Sequence, residues 1–260
     1  MISLMTREER HNLILDFLMQ NDSVLVSELS AKLNVSSVTI RKDLTELEKE
    51  KKLYRNHGKA ILINPYITNR DVNEKEKIFV EEKKAIGTCA AKLITPKDSI
   101  LIASGTTLHY FARQIRNLEP LTVITASLQV SEILLQHPNI DIIQLGGLIR
   151  HSSLSVVSKH AEVMLSNFSC SKLFLGVDGI DLDYGITTTN LMEANLNQTM
   201  IQTAQKTIVL ADSSKFGKRG FSKICNMEEI DQIITDSHVS PSVKKQIEEM
   251  GIELTIAEVL

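Results

Sequence analysis

Two groups of residues carry types and spacings suited to chemistry. The first is Ser104-Gly105-Thr106-Thr107, between the apolar run Ser99–Ala103 and a helical stretch from Leu108. A glycine turn with three hydroxyls at a helix start can hold an anion through backbone N–H groups and the helix dipole. A capped helix start explains the same residues, because Ser and Thr favour that position anyway. Similar loops follow other apolar runs: Thr125-Ala126-Ser127, Gly146-Gly147 with Arg150 beyond, Gly176 to Gly179 with Asp178, and Asp212 to Lys215. Gly185 to Asn190, with Thr188, precedes a helix with Glu193 in its first turn. Each alone is an ordinary turn or cap. Together, after successive strands, they can converge on the rim where open parallel sheets bind ligands.

The second group is a basic stretch. Residues 36–59 hold Arg41, Lys42, Lys49, Lys51, Lys52, Arg55 and Lys59 against four acids, a net of +3 in a chain whose total is −3. Arg can bridge O6 and N7 of guanine, Ser and Thr hydroxyls reach bases or phosphates, and lysines neutralise phosphates. The plainer account is a solvated face of a small helical bundle.

The elements that must position these residues favour the first account of the basic stretch. Leu13, Ile14, Phe17 and Leu18 give Arg7 to Gln20 a helical period, and Asn21-Asp22-Ser23 ends it. Val26 to Leu33 is a second helix, with Ser27 as its expected N-cap. After Asn34-Val35, Ser36 caps a third helix reaching about Glu48, with Ile40, Leu44 and Leu47 inward and Ser37, Arg41, Lys42 and Thr45 outward. A basic hairpin follows, turning around Asn56-His57-Gly58. Helix, turn, helix and basic hairpin in this order describe a winged helix-turn-helix over residues 1–63. Its third helix would enter a major groove.

Residues 64–73, with Pro65 and three Asn in the surrounding stretch, read as a linker. From residue 74 the texture changes. A helix is expected over Glu74–Leu93. Strands are expected at Ser99–Ala103, Leu121–Thr125, Ile140–Leu145, Lys172–Leu175, Thr207–Ala211, Gln232–Thr235 and Ile252–Ile256, with helical stretches between most of them. Continuous apolar strands joined by helices mean an α/β unit with a mainly parallel sheet, here residues 74–260.

Bulk properties narrow the class. There is no apolar run of about 18 residues to span a membrane, and the N-terminal residues lack a secretory pattern. Cys89, Cys170 and Cys225 have neither disulfide nor zinc spacing, and the histidines are scattered, so neither a metal nor another cofactor is expected. The expectation is a cytoplasmic protein with reduced thiols. The charge divides unevenly: residues 1–60 sum to +1 and residues 61–260 to −4. The bulk acidity describes the larger unit and hides the smaller.

Val26 to Ala60 resembles the helix-turn-helix signature of the DeoR family of bacterial sugar-operon regulators. Val35, Ser36, Thr39, Ile40, Arg41, Asp43 and Leu44 match it, as do Leu53, Arg55, His57, Gly58 and Ala60. Lys42 stands for a second Arg, and Lys59 for a second Gly in the wing turn. The loops SGTT, QLGGLIR, FLGVDGI, GITTTN and VLADSSKFG sit in family order, so the resemblance reaches about Asp236.

It implies a sensor domain similar in fold to ribose-5-phosphate isomerase that takes phosphorylated sugars or related metabolites, in a regulator that represses an operon for sugar transport or catabolism. The expected DNA-binding residues are Ser36, Ser37, Thr39, Arg41, Lys42, Arg55, His57 and Lys59. Ser104, Gly105, Thr106 and Thr107 would cradle the phosphate. Asp178 and Lys215 would reach the sugar, with Ser127, Gly147, Arg150 and Thr188 around the rim. Partners would be operator DNA, the phosphorylated sugar and further copies of the chain, as dimer or tetramer, but no membrane. The family has Asp where Ala103 stands and Asn where Ala126 stands, which implies an altered, less polar or weakened effector site. Two other readings are a sugar-phosphate isomerase using Asp178 and Lys215, and a regulator whose pocket is vestigial.

Overall fold

The computed structural model describes residues 5–21, 23–50, 52–56, 58–62, 72–116 and 120–259. The chain divides into two compact units, Met1–Ile67 and Thr68–Leu260.

In the first unit α1 (Arg7–Asn21), β1 (Ser23–Leu25), α2 (Val26–Leu33) and α3 (Ser37–Lys49) precede a hairpin of β2 (Leu53–Asn56) and β3 (Lys59–Leu62). One apolar stripe per helix closes the core: Ile14 and Leu18, Leu29 and Leu33, then Ile40, Leu44 and Leu47. Ser23, expected in a turn, instead begins β1, which pairs antiparallel with β3 and makes the wing three-stranded. This moves the start of α2. The chain leaves β1 directly into the helix, so Ser27 lies inside it. Leu25 is the boundary residue, and its N–H donates to Glu28 Oε2 at 3.0 Å. Gly58 has φ +77° where Asn56 pairs with Lys59, a conformation that costs glycine little. Lys59 itself is a strand residue in β3, a position that does not require glycine.

A buried ion pair joins α1 to α3. Arg10 Nε and Nη2 donate to the two oxygens of Asp43 at 2.5 and 2.8 Å, and Asp43 is only 3% exposed. Hydrogen bonding to Asp43 holds the Arg10 pKa above its ordinary value. Removing one partner of such a pair strands the other charge. Asp43→Ala is therefore expected to cost the first unit about 3 kcal/mol, read as a lowered urea midpoint.

The second unit begins with α4 (Val72–Glu76), α5 (Val80–Ala91), β4 (Ser99–Ile102), α6 (Thr106–Ala112), β5 (Leu121–Thr125), α7 (Leu128–Leu134) and β6 (Ile140–Gln144). Next come β7 (Leu148–Arg150), β8 (Ser155–Val157), α8 (Lys159–Leu165), β9 (Cys170–Gly176), β10 (Gly179–Asp181), β11 (Gly185–Thr188) and α9 (Leu191–Thr203). The unit closes with β12 (Ala204–Leu210), β13 (Ser222–Cys225), β14 (Gln232–Asp236), α10 (Pro241–Glu249) and β15 (Glu253–Ala257). Seven strands form one sheet in the order β15-β14-β12-β9-β4-β5-β6, and every neighbouring pair is parallel. Its central strands carry fully buried residues, among them Ile100 to Ile102 and Leu173 to Leu175. Sequence order runs outward from the middle: β4 to β6 on one side, β9 to β15 on the other. The switch point lies between β4 and β9.

Two differences from the expected layout bear on the site. The helix expected over residues 74–93 is two helices, α4 and α5, separated at Lys77–Phe79, with Phe79 in the left-handed region at φ 55°. The Lys83 ammonium fills the break by donating to the carbonyls of Lys75 and Ile78 at 2.5 and 2.6 Å. Carbonyls at a helix end need such partners. Val72 and Asn73, expected in the linker, belong to α4, while the linker's residues 64–71 lie outside the described residues.

The short strands β7, β8, β10, β11 and β13 were not expected. The first two pair as a hairpin, and the others form a small antiparallel sheet.

Candidate functional site

The loops leaving β4 and β9 diverge at the switch point and leave a cleft between them. The cleft encloses about 620 Å³ including its solvent-open mouth. Ser104 to Thr107 form one wall, Gly176 to Asp178 another, and Thr188, Thr189 and Glu193 a third. Arg150, Ser152 and Ser153 reach it from the β7–β8 hairpin, Lys215 from the turn after β12, and Val72 and Lys75 from α4. The two central loops approach closely because both carry glycine. Gly105 has φ +134°, and a Cβ on Gly176 would lie 2.8 Å from the Ser104 carbonyl oxygen.

Two carboxylates organise the polar groups. Asp178 accepts from Lys75 Nζ at 2.9 Å, Thr188 Oγ1 at 3.0 Å and the Thr189 N–H at 3.2 Å. Burial works against its charge, but Lys75 and Lys215 outweigh burial and hold its pKa at about 2. Glu193 accepts from Ser104 Oγ and Arg150 Nη1, each at 2.7 Å. Burial and the nearby Asp178 raise its pKa. Three cations (Lys75, Arg150, Lys215) face two carboxylates in one cleft, an excess of one positive charge. The arrangement suits a ligand with an anionic end and several hydroxyls. Asp178, held near 2, is a weak base for proton abstraction.

Of the expected effector residues, Ser104, Gly105, Thr106, Thr107, Arg150, Asp178, Thr188 and Lys215 all line this cleft. Two do not. Ser127 is fully buried as the N-cap of α7, accepting from the Val130 N–H at 3.3 Å. Gly147 has φ +148° in the turn before β7, where a Cβ would collide with the Ser158 hydroxyl. Both positions satisfy local backbone demands. Ala103 and Ala126 are buried in the core and do not line the cleft either. Sequence reasoning missed Lys75, which reads as one charge on a solvated helix, and placed Glu193 only as a first-turn residue.

In the first unit Ser36, Ser37, Val38, Arg41 and Lys42 are exposed at and after the start of α3, and Lys59 is exposed on the wing. Ser36 accepts from the Thr39 N–H at 3.2 Å, and its hydroxyl lies 2.9 Å from that of Thr39. Arg55 is tied within the unit. Its guanidinium donates to Glu48 Oε2 and to Thr45 Oγ1, so it braces the wing against α3. His57 lies outside the described residues.

Comparison with known proteins follows the same division. Residues 10–66 match the model of the DeoR-like helix-turn-helix domain, and residues 78–237 match that of the DeoR C terminal sensor domain. The chain belongs to the DeoR family. Among relatives of this DeoR-family chain, the HTH-type transcriptional regulator YulB of Bacillus subtilis is 38% identical over 95% of each chain. A putative aga operon transcriptional repressor of Escherichia coli O157:H7 is 34% identical, over 95% of this chain and 93% of its own. The HTH-type transcriptional repressor GlcR of B. subtilis is 32% identical over 98% of each. Ribose 5-phosphate isomerase A of Methanocaldococcus jannaschii is a distant likeness, with 18% identity over 55% of each chain and a TM-score of 0.39. The DeoR-family chain is a DNA-binding transcriptional regulator.

Among the described residues no helix is long and apolar enough to cross a membrane, and no group of three His, Cys, Asp or Glu side chains is placed to hold a metal.

The depressed Asp178 pKa gives a signed expectation. Its contribution to stability is fully present above the unfolded carboxylate range and is lost as pH falls toward about 2. Asp178→Asn should remove that part of the acid limb, leaving a flatter loss of urea stability between about pH 4 and 2.

Proposed function

We propose that the chain represses an operon for sugar transport or catabolism and is released from, or recruited to, its operator by a phosphorylated sugar held in the cleft. The observation that carries this reading is the charge pattern of the cleft at the switch point. Cations and the Ser104–Thr107 turn can take a phosphate, while Asp178 and Glu193 can accept sugar hydroxyls. The aga operon and GlcR relatives, named as repressors, favour repression.

In this reading Thr106 and Thr107 meet the phosphate together with Lys215 and Arg150, and Asp178 and Thr188 meet the sugar. Ser36, Ser37, Thr39, Arg41 and Lys42 present α3 to the major groove, and Lys59 contacts phosphate. Val38, 60% exposed in the same turn, offers an apolar contact for a thymine methyl. One small head binds DNA weakly, so the working form is a homo-oligomer in the cytoplasm that places heads on repeated half-sites. An effector that prefers one arrangement of the sensor units shifts operator affinity by that preference.

A thermal-shift series with sugar phosphates against the parent sugars tests the effector. Stabilisation by at least one phosphate ester, but not by its parent sugar, is the expected result. No response across the series would overturn the effector reading. Arg41→Ala should cost about 1–3 kcal/mol of specific DNA binding and leave the thermal shift intact. Thr106→Ala should leave operator affinity alone and reduce the thermal shift. Unchanged operator affinity in Arg41→Ala would remove α3 from the reading role.

A further inference from the structure

The cleft has one wall that belongs to neither the sheet nor its crossovers. That wall is α4, five residues long and separated from α5 by the break at Lys77–Phe79. Three kinds of contact dock it. At its start, the Val72 side chain is buried against the cleft, and the Val72 N–H donates to the Ser152 carbonyl at 2.9 Å. In its middle, Lys75 reaches across the cleft to Asp178 at 2.9 Å. At its end, Glu76 pairs with Arg113 at 2.7 Å, and its carbonyl lies 3.3 Å from the Tyr110 hydroxyl.

The remaining constraint comes through the break. Lys83 is 3% exposed and grips the Lys75 and Ile78 carbonyls, which fixes the backbone at the C-terminal end of α4. Phe79, a non-glycine residue at φ 55°, marks the same place as a conformational joint.

α4 is also the first described element after the reading unit. Only residues 63–71 separate Leu62, the end of β3, from Val72. Any anion that enters the cleft meets Lys75, whose partner Asp178 is itself a cleft residue. The exchange of Lys75 between Asp178 and an incoming anion changes what holds α4 in place. α4 is thus docked at both ends, tied in its middle by an ion pair that lines the cleft, and leads in sequence from the DNA-binding unit.

We propose that α4 is the strap through which the cleft communicates with the reading unit, with the Lys75–Asp178 pair as its latch. The proposal rests on the effector reading of the cleft for the signal that the strap carries.

The test uses the full-length protein without ligand. The DNA is an operator that the full-length protein itself selects from random sequence. Lys75→Gln and Asp178→Asn each open the latch. Lys172→Gln is the control, since it breaks the 2.6 Å pair with Asp98 at the other end of the strands. Both latch variants should show amide exchange over residues 72–79 about tenfold faster than wild type, with β4 still protected. Both should shift operator affinity in one common direction by about fivefold or more. Lys172→Gln should do neither. Lys75→Arg, which keeps a cation opposite Asp178, should leave both readouts near their wild-type values and thereby separate loss of the latch charge from simple misfolding.

Faster exchange with unchanged operator affinity would make α4 an anchor and overturn the proposal. So would unchanged exchange in the latch variants, or the same affinity shift in Lys172→Gln. Because every arm is ligand-free, a sensor that ignores all sugar phosphates would defeat the effector reading and leave these results interpretable.

Discussion

The parallel pairing of β4 with β9 is the constraint from which the sensor unit follows. Parallel neighbours cannot be joined by a tight turn, so each strand sends its chain away over the sheet. Here the two central strands send it in opposite directions. The ends of both strands are therefore left facing an unfilled wedge. Everything that lines the cleft is placed by reference to that wedge. The Ser104–Thr107 turn comes off one strand and the Gly176–Asp178 turn off the other. The small strands β7, β8, β10 and β11 carry Arg150 and Thr188 to its rim.

Within the wedge, both carboxylates are paired before any ligand arrives, and one positive charge is left in excess. Asp178 takes Lys75 and two threonine groups, and Glu193 takes Ser104 and Arg150. A ligand's hydroxyls would meet carboxylates that already have partners, and its phosphate would meet the excess positive charge together with cations that are already paired. These ligand groups would replace existing partners, and the net gain would be the difference between two sets of hydrogen bonds. Such a site favours ligands that satisfy both carboxylates and cations at once. It discriminates against those that satisfy only one kind, because the displaced partner is then stranded.

Much of this was legible in the sequence, and the omissions have physical causes. The strands of the large sheet are buried on both faces, so they appear as unbroken apolar runs. The recognition helix has a clean inward period at Ile40, Leu44 and Leu47 with its cap at Ser36. The short strands β1, β7, β8, β10, β11 and β13 were not legible, because so short a run shows no alternation to read. The break between α4 and α5 was hidden as well. Its carbonyls are satisfied by the side chain of Lys83, whose burial no local charge pattern announces. Ser127 and Gly147 mislead for the opposite reason. A hydroxyl at a helix start and a glycine after a strand are the same letters whether they serve a ligand or the backbone. Lys75 lay outside the expected site because its role depends on Asp178, more than a hundred residues away.

The brace between wing and recognition helix has a consequence for the thermodynamics of DNA binding. Arg55 gives its charge to Glu48, and in return the hairpin is held at a fixed angle to α3. For as long as that pair persists, the guanidinium adds no counterion release of its own when a duplex arrives. Each phosphate contact not made flattens the dependence of log K on log salt by about 0.9. The head therefore gives up some purely electrostatic grip and keeps a rigid shape. Its affinity should lean more on fit to the groove than on attraction to the backbone, and should vary less when cellular ionic strength changes.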